Sequence, residues 1–249
     1  MHEYEIELGT DDGNMDCFVC HPDEGGPHPA VILYMDAPGI REELRDMARR
    51  IATVGYFAML PNMYYRTGRE SHYGFDLSRI RVDDGEQKKM FGVMNSLSNA
   101  RVVADTGPML THIRSAEAAA AGAVGCVGYC MSGQYVVSVA AAFPDDFAAI
   151  ASFYGVGIVT ERDDSPHLKA ERIKGELYLG FASDDPYVPQ DLLDRMPGIF
   201  KAAGANARIE VYPDTEHGFA FPQRPVYNKL AGERHWQRML ALFDRRLHG

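Results

Sequence analysis

Polar and apolar residues alternate from Glu3 to Leu8, in the order Glu-Tyr-Glu-Ile-Glu-Leu. A period of two separates the two faces of a strand. Residues 15–20 (Met-Asp-Cys-Phe-Val-Cys) read as a second strand, and Gly-Thr-Asp-Asp-Gly-Asn between the two is turn chemistry. The chain is therefore expected to open with an antiparallel hairpin. After a Pro/Gly-rich loop at 21–29 the pattern changes, and 30–35 is an unbroken apolar run, as in a strand buried on both faces. Leu44, Met47, Ala48 and Ile51 then fall on one helical face, Gly55 stops that helix, and 56–60 is a further strand ending at Pro61. Strand, helix and strand in this order make a βαβ unit and set the class as α/β.

The alternation continues. A loop at 61–82, rich in Tyr, Arg, Ser and Gly, is long enough to be functional, and Tyr64, Tyr65, Arg66 and Tyr73 are expected to line or lid a pocket. Helical material is predicted over 83–121 with a break at Gly107-Pro108. Strands follow at 124–127, 147–154, 176–181 and 207–212, and helices at 131–143, 189–203 and from about 226. The last helix carries Trp236, Met239, Leu240, Phe243 and Leu247 on one face. The expected architecture is one domain, 1–249, with a doubly wound, mostly parallel sheet, helices on both faces and an N-terminal antiparallel hairpin.

Charge narrows the partners. Lys plus Arg number 25 and Asp plus Glu 35, a net charge of −10. That balance argues against nucleic acid and against a basic membrane-surface role. No stretch reaches the roughly 18 apolar residues of a membrane span, and the acidic N-terminus does not resemble a secretory signal. A cytoplasmic protein with reduced thiols is expected. Its four cysteines stand at 17, 20, 126 and 130. Cys17 and Cys20 would point to opposite faces of a strand. Cys126 and Cys130 are separated by roughly 13 Å of extended chain, too far for a disulfide. No metal and no cofactor is expected.

In sheets of this kind ligands bind beyond the carboxyl ends of the strands. The segments there are Asp36-Ala37-Pro38-Gly39, Gly128-Tyr129-Cys130-Met131-Ser132-Gly133, Asp184-Asp185-Pro186 and Glu216-His217-Gly218-Phe219. Cys130 stands between a strand and a helix with Gly128 and Gly133 around it, the pattern of a nucleophile elbow. A helix N-terminus favours a thiolate there. The amide of Met131 could stabilise an oxyanion, with the amide of Ala37 as second donor. Ser132 sits two residues into the turn, where a small residue is needed, and not at its apex. The order nucleophile, acid, base along the chain is that of α/β-hydrolases. His217 is the candidate base. Either Asp184 or Asp185 could orient it, and spacing alone does not separate them.

At these residues the chain resembles the dienelactone hydrolase family (carboxymethylenebutenolidases) within the α/β-hydrolase fold. The resemblance runs through the hairpin, the strand-then-acid segment at 30–40, Gly-Tyr-Cys-x-x-Gly at 128–133, Tyr154-Gly155, Asp185-Pro-Tyr-Val-Pro189 and His217-Gly-Phe. It implies Cys130, Asp185 and His217 as catalytic residues, the acid standing four residues before the proline. It implies further that Asp36 takes the place of a glutamate that holds the resting thiol. Phe221 stands where the family has an arginine for a substrate carboxylate, and the nearest arginine is Arg224. A second family arginine finds no match near Arg79, Arg81, Lys88 and Lys89.

The expected function is cofactor-independent hydrolysis of a small-molecule lactone or ester through a Cys-His-Asp triad and an acyl-enzyme, by a monomer or homodimer. The alternative is a non-catalytic small-molecule-binding protein on a hydrolase scaffold, motivated by Asp36 and Phe221.

Overall fold

The computed structural model describes Met1–His248. The chain forms two compact units, Met1–Ala121 and a second from Gly122 onward.

The first unit opens with the antiparallel hairpin β1 (His2–Thr10) and β2 (Gly13–His21). The parallel pair β3 (Ala30–Tyr34) and β4 (Phe57–Pro61) follows, and β2 joins it antiparallel to β4. Every residue of β3 and β4 is buried, as their unbroken apolar runs require. Helix α1 (Glu42–Ala52) connects them and buries Leu44, Met47, Ala48 and Ile51. Its first turn carries Glu42 and Glu43 and its last turn Arg49 and Arg50, matching the helix dipole at both ends. The polar positions of β1 meet arginines in series: Glu3 pairs with Arg49, Glu5 with Arg45 and Glu7 with Arg69. The Arg45 and Arg49 guanidinium groups also cover the Phe18 ring at 5.9 and 5.4 Å.

Two more helices complete this unit, α2 (Asp84–Met94) and α3 (Asn99–Ser115). Here the structure corrects the sequence reading. The helical stretch breaks at 95–98, where the Ser98 hydroxyl caps α3 by accepting the Arg101 amide. Pro108 lies inside α3. A proline there deprives the carbonyl four residues earlier of its donor. That carbonyl belongs to Ala104, an exposed residue. The helix ends at Ser115, six residues before the predicted limit.

The long loop after β4 is an internal buttress over much of its length. Buried Asn62 donates through Nδ2 to Asp16 Oδ1 and to the Gly68 carbonyl, both at 2.9 Å. Its Oδ1 accepts the Tyr64 amide and the Tyr73 hydroxyl, both at 3.0 Å. Tyr64 and Tyr73 are buried and meet edge to face. Tyr65 and Arg66 turn instead to Asp105 on α3.

The second unit is a run of parallel strands, β5 (Val124–Tyr129), β6 (Phe147–Phe153), β7 (Glu176–Asp184) and β8 (Ala207–Glu216), adjacent in that order. Strands β7 and β8 run three and four residues beyond their predicted ends. Helices α4 (Gly133–Ala142), α5 (Gln190–Ala202) and α6 (Lys229–Leu247) accompany them. Helix α6 lies so close to β5 that a Cβ on Gly125 would fall 2.9 Å from the Leu247 side chain. It buries Trp236, Met239 and Phe243 as predicted, and also Leu242 and His235. Leu240 and Leu247 are only half-buried. Among the described residues no helix is long and apolar enough to cross a membrane.

Candidate active site

Strand β5 ends at Tyr129, and Cys130–Ser132 form a single 3-10 turn that leads directly into α4. Cys130 has φ +54°, a left-handed backbone that costs a residue with a Cβ about 1–2 kcal/mol. Its surroundings hold it there. The Cys130 carbonyl accepts the Val156 amide at 2.9 Å. A Cβ on Gly128 would come within 2.6 Å of the Ser132 carbonyl oxygen, and one on Gly133 within 2.3 Å of the Gly155 Cα. Both glycines are thus required by backbone approach. Ser132 is fully buried in the turn, while Cys130 is half-buried. The elbow therefore has the geometry that its glycine spacing anticipates.

Strand register brings the acid and the imidazole together. Asp184 pairs with Glu216 at the ends of β7 and β8. The next residue on each chain is Asp185 and His217. Asp184 is exposed. Asp185 is buried, and its Oδ2 lies 2.8 Å from His217 Nδ1 while its Oδ1 accepts the Tyr187 amide at 2.9 Å. The carboxylate is thus held at both oxygens, one for the ring and one for the backbone. Nδ1–H donates to it, which leaves Nε2 as the outward nitrogen. Nε2 is buried without a hydrogen-bond partner of its own.

Burial disfavours a charged imidazole, but the hydrogen bond to Asp185 and the neighbouring Cys130 sulfur outweigh it. The His217 pKa rises to about 9. Two tyrosines flank the ring. Tyr154, fully buried with φ +40°, meets it edge to face at 5.1 Å, and Tyr187 does so at 4.8 Å. Neither contact was legible in the sequence, because each depends on where a loop after a strand turns.

The other three cysteines are buried, whereas Cys130 is half-buried. Burial pushes the Cys17 and Cys126 thiols up, and that of Cys20 to about 12. All four are free. Phe221 is fully buried, and the Arg224 guanidinium lies over its ring at 5.0 Å.

In the first unit, the loop after β3 carries Asp36 and Ala37, both buried. Arg41 grips both Asp36 oxygens, at 2.5 and 3.2 Å, and also reaches Glu43 and the Gly39 carbonyl. The Asp36 carbonyl accepts the Gly39 amide at 2.9 Å, and the Ala37 carbonyl accepts the Tyr64 hydroxyl at 2.9 Å. The peptide planes on either side of Ala37 are therefore fixed. Arg41 was not singled out in the sequence. Its signal was an arginine directly ahead of an acidic helix start.

The fold and the elbow define an α/β-hydrolase, and comparison with known proteins narrows this. The family model for the dienelactone hydrolase family matches residues 15–247, and the chain belongs to that family, whose members act on ester bonds. A relative from Escherichia coli (strain K12), provisionally named a carboxymethylenebutenolidase, is 30% identical over 92% of this chain and 82% of its own. One from Synechocystis sp., with the same provisional name, is 28% identical over 92% of this chain and 91% of its own. Among solved structures, a provisionally assigned dienelactone hydrolase from Klebsiella pneumoniae superposes with a TM-score of 0.85 at 27% identity, covering 98% of both chains. A dienelactone hydrolase-like promiscuous phosphotriesterase from metagenomic libraries has the same fold, with a TM-score of 0.79 at 19% identity over 98% of both chains.

Proposed function

We propose that the protein hydrolyses a lactone or small carboxylic ester with Cys130 as nucleophile, His217 as base and Asp185 as the residue that orients it. The observation that supports this reading is the hydrogen bond of Asp185 to His217 Nδ1, with the imidazole pKa raised by that carboxylate and by the Cys130 sulfur. His217 Nε2 takes and holds the thiol proton, and the Cys130 thiolate of that pair attacks the carbonyl carbon. The Met131 amide, in the turn that leads into α4, receives the oxyanion. His217 then gives its proton to the departing alcohol oxygen, leaving a thioester on Cys130. A water deprotonated by His217 attacks that thioester, and the acid leaves as the thiol is restored. Within the first unit, Arg41 engages both Asp36 oxygens.

A panel of lactones and aryl esters tests the proposal. The wild type should turn over at least one of them, Cys130→Ala should lose that activity, and prior alkylation of Cys130 should abolish it. Full esterase activity in Cys130→Ala would overturn the assignment of the nucleophile. Ligand binding with no turnover by the wild type would favour a binding protein on this scaffold.

A further inference from the structure

Tyr187 is anomalous for a large aromatic residue. It is 57% exposed, yet its ring sits against the imidazole of His217. Its main chain is not loose. The Tyr187 amide donates to Asp185 Oδ1, and the Val188 amide donates to the Asp185 carbonyl at 3.1 Å, closing a tight turn ahead of α5. The Tyr187 backbone is thus anchored to the acid while its ring stays open to solvent. Tyr154, on the imidazole's other contact, is sealed in the interior. Of the two tyrosines, only Tyr187 offers accessible aromatic surface beside His217.

The chemistry of the acylation step says what lies at that surface. As the sulfur–carbon bond forms and the carbon–oxygen bond of the ester breaks, the departing oxygen takes its proton from His217. The alcohol half of the ester must then lie next to the imidazole. A solvent-exposed side chain in contact with the ring is placed to border that alcohol half, whereas the acyl half is carried by Cys130.

Resting on the hydrolase reading above, we propose that Tyr187 selects the leaving group and favours esters of aromatic alcohols. An exposed ring fixed at its backbone stacks on a second ring with little entropic cost, and such pairs contribute about 0.5–1.5 kcal/mol beyond the area they bury. This corresponds to roughly a twofold to tenfold preference.

Benzyl acetate and cyclohexylmethyl acetate isolate the effect, since they share the acyl group and nearly the size of the alcohol and differ in aromaticity. The wild-type ratio of kcat/KM, benzyl over cyclohexylmethyl, should exceed one, and Tyr187→Ala should lower it by about twofold to tenfold, mainly through the KM for the benzyl ester. Tyr187→Phe should keep the wild-type ratio. A ratio unmoved in Tyr187→Ala would overturn the proposal, as would equal losses on both esters. Cys130→Ala, run alongside, separates the two readings. Retained turnover in that variant would overturn the triad, whereas lost turnover with an unmoved Tyr187→Ala ratio would overturn only the role of Tyr187.

Discussion

Gly133 and Gly155 meet backbone to backbone: a Cβ on Gly133 would lie 2.3 Å from the Gly155 Cα, and one on Gly155 would lie 2.7 Å from the Gly133 Cα. No side-chain rotation relieves a clash with main chain. Gly155→Ala should therefore push the loop after β6 off the elbow and strain the Val156 amide contact to the Cys130 carbonyl. The expected result is destabilisation by about 2 kcal/mol or more, with esterase activity falling further than the folded fraction. Denaturant unfolding together with activity per folded molecule checks this. A fully stable, fully active variant would contradict it.

The raised pKa of His217 makes stability depend on pH. Its folded value, about 9, lies above the usual 6.5. The contribution is therefore complete below about pH 6.5 and disappears as pH rises through 9. For this largely buried ring the total is on the order of 3 kcal/mol. The stability gap between wild type and His217→Gln should shrink over that window. In Cys130→Ala the imidazole should titrate below 9, because one of the groups that raises it is gone, and NMR of the ring nitrogens would show the change. An unmoved titration would mean that the sulfur does not act on the imidazole.

The four thiols should separate under a small electrophile. Cys17, Cys20 and Cys126 are buried with raised pKa values, while Cys130 is half-buried at the elbow. Iodoacetamide at neutral pH should modify Cys130 alone in the folded protein, and all four in denaturant. Peptide mass spectrometry reads the sites. Modification of Cys17 or Cys20 at a comparable rate would contradict the burial argument.

Pro108 offers a test remote from the chemistry. It interrupts the hydrogen bonding of α3 at Ala104, an exposed residue. Pro108→Ala should restore the Ala104 bond and stabilise the protein by about 1–3 kcal/mol, seen as a higher Tm with unchanged ester hydrolysis. A lower Tm would show that the proline ring's packing outweighs the missing bond.

What could be read from the sequence depended on range. Strands β3 and β4 were legible because burial on both faces leaves a continuous apolar run, and α1 because its apolar residues recur on one face. The break near Pro108 was misplaced because proline signals interruption strongly, whereas the actual end of α2 at 94 is marked only by a capping serine four residues on. Spacing left Asp184 and Asp185 open and the family resemblance pointed to Asp185; the hydrogen bond between Asp185 and His217 joins residues 32 apart, a long-range contact that spacing does not encode. From Tyr64, Tyr65, Arg66 and Tyr73 the loop after β4 reads as lining or lidding a pocket. Its organisation by Asn62 depends on four partners, two of them side chains up to 46 residues away in the chain.

The left-handed backbone at Cys130, φ +54°, is built into the turn itself. Glycine would occupy that conformation without penalty, so a chain selected for durability alone would be expected to carry a glycine in place of this cysteine. Cys130→Gly should yield a tougher and inert protein. The apex of the elbow thus marks a point where endurance and reactivity pull in opposite directions, and screens that reward thermostability would tend to erase the very side chain on which turnover is proposed to depend.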